Sequence, residues 1–109
     1  GDEVMVKIYG RWCGPNWTDN QNISARDHLL RGGSFKTKCI DSLDCACREH
    51  DRDCAQSTLG CSYAGDTRLL RAANRILRNP LQKIVNPRRF LAARLIRDAM
   101  SIARLSRSR

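Results

Sequence analysis

His50 and Asp51 stand side by side in the run Cys47-Arg48-Glu49-His50-Asp51, where the residue types best suit chemistry. An imidazole titrates near neutral pH, so a histidine can take a proton from water and later return it. A carboxylate offers two oxygens, the donors that hard cations such as calcium prefer. Neighbouring residues of a helix diverge by about 100°. The two side chains therefore cannot bond each other closely, but they can flank one substrate from two directions. A base of this kind needs a second carboxylate to fix its tautomer. Asp66, expected at the start of the next helix, is best placed to supply it. Upstream, the turn Trp12-Cys13-Gly14-Pro15-Asn16 can add backbone oxygens to the same cation site.

These groups need a scaffold, and a chain of 109 residues provides one small domain with a limited core. Six cysteines (Cys13, Cys39, Cys45, Cys47, Cys54 and Cys61) crowd the first 61 residues. Such density reads as a disulfide framework formed in an oxidising compartment, with 15 possible pairings for six cysteines. Two rival readings use the same residues. Cys45, Cys47, His50 and Cys54 have zinc-ligand chemistry, although one helix cannot easily aim all four at one point. Cys13 could act as a nucleophile beside His50, although one cysteine among six is more naturally bridged. No apolar run approaches the length of a membrane span and nothing resembles a signal peptide. The opening Gly1-Asp2-Glu3, without methionine, is the expected start of a processed form or of a fragment.

Charge is unevenly placed. Residues 1–67 hold eight Lys/Arg and ten Asp/Glu, a net of −2, while residues 68–109 hold twelve Lys/Arg and only Asp98, a net of +11. A basic half of this kind seeks a polyanion, either nucleic acid or an anionic membrane surface.

Val4, Val6 and Ile8 alternate with polar or larger neighbours, which predicts a short half-buried strand feeding the 10–16 turn. Residues 18–38 read as a long polar loop with Gly32 and Gly33; Asn16-Trp17-Thr18 and Asn22-Ile23-Ser24 are formal glycosylation sequons. Asp41 or Ser42 can cap a helix running to about residue 57, with Leu43, Cys47, His50 and Cys54 on one face. Asp66 or Thr67 is expected to open a second helix with an apolar stripe of Leu69, Leu70, Ala73, Ile76 and Leu77. Beyond Pro80 and Pro87, a third helix over 88–104 would turn Leu91, Leu95, Ala99 and Ile102 inward and arginines outward. The tail from Ser106 to Arg109 is expected to fray. Trp12, Trp17, Leu29, Leu30 and Phe35 suit either a core or a rim that docks on a membrane.

Two segments together resemble the calcium-dependent secreted-type phospholipase A2 family. Its calcium loop has the form Tyr-Gly-x-x-Cys-Gly-x-Gly, and here the chain reads Tyr9-Gly10-Arg11-Trp12-Cys13-Gly14-Pro15-Asn16. Its catalytic helix has the form Asp-x-x-Cys-x-x-His-Asp, and here stands Asp44-Cys45-Ala46-Cys47-Arg48-Glu49-His50-Asp51. The resemblance spans about residues 9–78. It implies that the backbone oxygens of Trp12, Gly14 and Asn16 and the carboxylate of Asp51 bind calcium. It further implies that His50 activates water, that Asp66 orients it and that the Gly14 N–H helps to stabilise the oxyanion. Cys13 paired with Cys47 would be the family bridge between loop and helix. The chain departs from the pattern at Asn16, which replaces a glycine, and at Cys54, which stands where the family often has a tyrosine bonded to the second aspartate. That support would be lost or moved to Tyr63. The stretch from His50 to Asp66 leaves no room for the β-hairpin of digestive and venom forms, and their amino-terminal helix is absent. Both absences resemble compact viral capsid-borne and invertebrate versions.

The expectation is thus a mainly α, disulfide-stapled, phospholipase A2-like domain with a calcium loop and little strand. Residues 1–78 would form the calcium-loop and catalytic core, and 79–109 a basic helical extension of the same domain. The expected activity is calcium-dependent hydrolysis of the sn-2 ester of glycerophospholipids at a bilayer surface. The alternative is a catalytically silent relative that binds anionic lipid or nucleic acid. The expected location is secreted, extracellular or virion-associated.

Overall fold

A computed structural model describes residues 4–108; Gly1–Glu3 and Arg109, with the expectations that fall on them, lie outside the described residues. In chain order come β1 (Trp17–Thr18), β2 (Gln21–Asn22), α1 (Ala25–Leu30), α2 (Ser42–Gln56), α3 (Tyr63–Leu77), α4 (Leu81–Val85) and α5 (Pro87–Ala103). A 3-10 turn over Arg104–Ser106 follows. The architecture is mainly helical, with one two-stranded antiparallel sheet pairing Trp17 with Asn22 and Thr18 with Gln21.

Local chemistry sets the helix ends. The Asp41 side chain accepts from Asp44 N at 3.0 Å and caps α2. The Ser62 hydroxyl accepts from Gly65 N at 2.9 Å, so α3 opens at Tyr63, three residues before Asp66. That corrects the expected start at Asp66 or Thr67: the serine is the better-placed cap and the aspartate is left free for another task. Asn86 caps α5, whose first residue is Pro87, where the missing N–H costs nothing.

The core joins Trp12, Phe35, Leu43, Leu69, Ala73, Ile76, Ala92, Ala93 and Ile96. The apolar stripe expected on α3 is buried at Leu69, Leu70, Ala73 and Ile76 and half-buried at Leu77. On α5 the expected face is wrong. Leu91, Leu95, Ala99 and Ile102 are all exposed, while Ala92, Ala93 and Ile96 are buried. Small side chains at 92 and 93 let the backbone of α5 approach α3, which rotates the leucines outward. Nor do the arginines of α5 all point to solvent. Arg89 is half-buried and lies 3.7 Å from Asp41.

The first described residues also differ from the expected strand. Residues 4–8 form no ladder, and Val4 and Val6 are exposed. The segment is clasped to the turn instead: Val6 N donates to Pro15 O and Ile8 N to Cys13 O, both at 2.9 Å. Inside the expected long loop, α1 and the small sheet are both ordered, and Trp12, His28 and Phe35 form an aromatic cluster. Trp12 and Phe35 are therefore core rather than rim, and of the five candidates for a rim only Leu30 is exposed.

All six cysteines are bridged: Cys13–Cys47, Cys39–Cys45 and Cys54–Cys61. No thiol remains for zinc or for nucleophilic attack, so both rival readings of the cysteines fall. Three bridges in one small chain mark folding in an oxidising, extracellular-type environment. Among the described residues, no helix is long and apolar enough to cross a membrane.

Candidate active site

α2 and α3 run side by side, and their contact brings His50 to Asp66. The imidazole Nε2 lies 2.7 Å from Asp66 Oδ1, and Asp66 has no exposure to solvent. With Nε2–H donating to that carboxylate, the neutral ring keeps its lone pair on Nδ1, the form a general base needs. Cys54 lies one turn past His50, and its Sγ stands 3.7 Å from Nε2 and 3.8 Å from Nδ1, so the Cys54–Cys61 bridge packs against the ring.

The turn at 10–16 is held against α2 by two devices. One is the Cys13–Cys47 bridge, which spans 34 residues. The other is Asp44, a fully buried carboxylate that accepts from Arg11 N, Trp12 N and Ile40 N at 2.9–3.1 Å. Gly10 is required here, since φ is +60° and a Cβ would fall 2.5 Å from the Asp44 carboxyl carbon. Gly14 has φ +140°, and a Cβ there would strike Val6 O. Among the described residues no hydrogen bond uses the Gly14 N–H. Asn16 takes the left-handed geometry, φ 53°, in place of a glycine.

Asp51 faces the same turn. Its Oδ2 is shut off from solvent and has no hydrogen-bond partner among the described residues. Burial pushes its carboxyl well above the usual carboxylate range, and the charge of Asp44 pushes it further. A cavity of about 350 Å³ opens between these groups. Gly14, Asn16, His50 and Asp51 line its polar side, and Ile8, Leu69, Ile96 and Met100 its apolar side. A groove of about 600 Å³ beside Lys7, Arg11 and Arg88 touches neither His50 nor Asp51. A second, of about 440 Å³, reaches His50 from the α3 side without Asp51.

Each residue singled out from the sequence therefore has a place. Gly14, Asn16, His50 and Asp51 meet at one cavity with Trp12 in its lining, and Asp66 stands behind His50. His28, the other histidine, is buried in α1 and donates from Nε2 to Ser34 O at 2.8 Å, a structural role. Two participants escaped sequence reasoning. Asp44 belonged to the quoted helix segment but had no role there; its signal was a carboxylate in the first turn of a helix beside a glycine-rich turn. Arg107, in the tail expected to fray, meets Asp66 Oδ2 at 3.1 Å, and nothing local in the sequence announces it. Tyr63, the expected support of Asp66, carries the Arg104 guanidinium 5.2 Å above its ring. A scan of family models, a search of curated proteins and a search of solved structures each find no match for the chain.

Proposed function

We propose that the chain hydrolyses the sn-2 ester of glycerophospholipids in a calcium-dependent reaction, as the resemblance to phospholipase A2 implies. One observation supports this above the others: a histidine backed by a buried carboxylate lines the same part-apolar cavity as Asp51, whose Oδ2 lacks a partner among the described residues, and Gly14, whose N–H has no hydrogen bond among them.

His50 Nδ1 takes a proton from water, and the hydroxide attacks the ester carbonyl. Asp66 holds the ring and stabilises the imidazolium that forms, without taking the proton itself. The Gly14 N–H donates to the oxygen on which negative charge develops. His50 then returns the proton to the departing alkoxide. Ile8, Leu69, Ile96 and Met100 hold an acyl chain and keep bulk water away.

The residues present fit a hard cation. The buried Oδ2 of Asp51 lacks a partner, and a carboxyl forced toward its neutral form by burial becomes an ionised ligand when a cation stands beside it. Asp51 and the backbone oxygens of Trp12, Gly14 and Asn16 would hold calcium, which would supply electrophilic stabilisation of the carbonyl oxygen.

Vesicles of phosphatidylcholine labelled at either acyl position test the reading. Release of the sn-2 fatty acid, stopped by a calcium chelator, is expected. Release from sn-1, release indifferent to the chelator, or no release from either position would contradict it.

A further inference from the structure

Asp66 is wholly buried, so both of its oxygens need partners. Oδ1 meets His50 at 2.7 Å, and Oδ2 meets the Nε of Arg107 at 3.1 Å. Cys54 lies beside the same ring but is bridged to Cys61 and has no S–H to offer. The donor comes from the other end of the chain, 41 residues beyond Asp66.

The approach of Arg107 is built rather than incidental. α5 packs on α3 and delivers the 3-10 turn to the opening of α3. Arg104 donates to Thr67 Oγ1 at 3.1 Å and lies over the Tyr63 ring, and Arg107 N donates back to Arg104 O at 3.1 Å. Two arginines of the tail thus grip the first turn of the helix that carries Asp66. A charged donor on Oδ2 fixes the plane of the carboxylate, and with it the direction from which Oδ1 holds the imidazole. An unpaired Oδ2 would leave that plane free to turn.

We propose that Arg107 is a positioning residue of the site, acting on His50 through Asp66. This rests on His50 being the base of the hydrolysis proposed above. The tail is then part of the active-site construction rather than an appendage.

Arg107→Gln and Arg107→Lys in the full chain test it with two readouts. On a monomeric short-chain phospholipid, Arg107→Gln should lower kcat by about 10- to 100-fold, the usual cost of losing a partner that orients a catalytic group, with KM nearly unchanged. Arg107→Lys, which restores a cationic donor, should recover most of that loss. Independently of activity, the His50 Nε2–H proton should be a downfield resonance of the wild-type chain that weakens or vanishes in Arg107→Gln. The His28 signal should stay put, since its bond to Ser34 is remote from the tail. A folded Arg107→Gln chain with wild-type kcat and an unchanged His50 resonance would overturn the proposal. So would a lysine variant as impaired as the glutamine one. Loss of the His50 resonance in Arg107→Gln, with no hydrolysis by the wild type, would uphold the positioning role and refute the hydrolase reading.

Discussion

The carboxylate of Asp51 is the most exacting group in the molecule, because burial and the charge of Asp44 both oppose its ionisation. A fold tolerates such a group where a cation can offset the cost. Asp51→Asn keeps the shape and removes the charge, so it should weaken calcium binding by about ten-fold or more and lower hydrolysis with it. Titration calorimetry that finds the same affinity in both chains would move the metal elsewhere. At this scale the sequence was legible where chemistry is local. His50 and Asp51 are adjacent, and their types and the nearby turn are enough to nominate them. Asp66 needed only the start of the next helix. Arg107 was not legible, because its role depends on how α5 lies across α3, which no spacing encodes.

Between elements, Asp41 is the knot. It caps α2, accepts from the Tyr9 hydroxyl and faces Arg89 of α5, tying the start of the turn to two helices. Burial, with the hydrogen bond to Asp41 and its charge, pushes the Tyr9 phenol up from 10.0 to about 12. The folded chain therefore favours the protonated phenol. Its contribution to stability is whole below pH 10 and is lost as pH climbs from 10 toward 12. Denaturation curves should show wild-type stability falling faster than that of Tyr9→Phe across that window. Parallel curves would show that the phenol does not couple to folding. The three long helices were readable from apolar spacing, and α2 ends within a residue of its expected bounds, whereas the short α1 and α4 and the Ser62 cap of α3 were not. The register of α5 was not. Sequence weighs leucine above alanine as a core residue, whereas close packing against α3 selected Ala92 and Ala93. The extended start was misjudged because its partner is a turn rather than a strand.

Across the whole molecule, the basic half is the feature that composition showed and the fold distributes. Arg68, Arg71 and Arg75 stand along the exposed side of α3, and Arg94 on α5. None of the four has an ion pair among the described residues. Arg89 and Arg97 are already engaged with Asp41 and Asp98. The free set should draw the chain to anionic bilayers at about 1 kcal/mol per residue near the surface, and salt should erase the attraction. Replacing the four by glutamine should weaken binding to anionic vesicles and leave hydrolysis of a soluble short-chain substrate nearly unchanged. A quadruple variant that binds vesicles normally but loses affinity for nucleic acid would assign the basic half to a genome or transcript instead.

In the proposed hydrolase one histidine performs the chemistry while separate groups hold the cation. His50→Gln tests it most directly, with fatty-acid release and calcium binding measured on the same preparation. Release should fall by about 10²- to 10⁴-fold, with a calcium isotherm that overlays the wild type. Near-full activity in the folded variant, or calcium affinity lost together with activity, would contradict it.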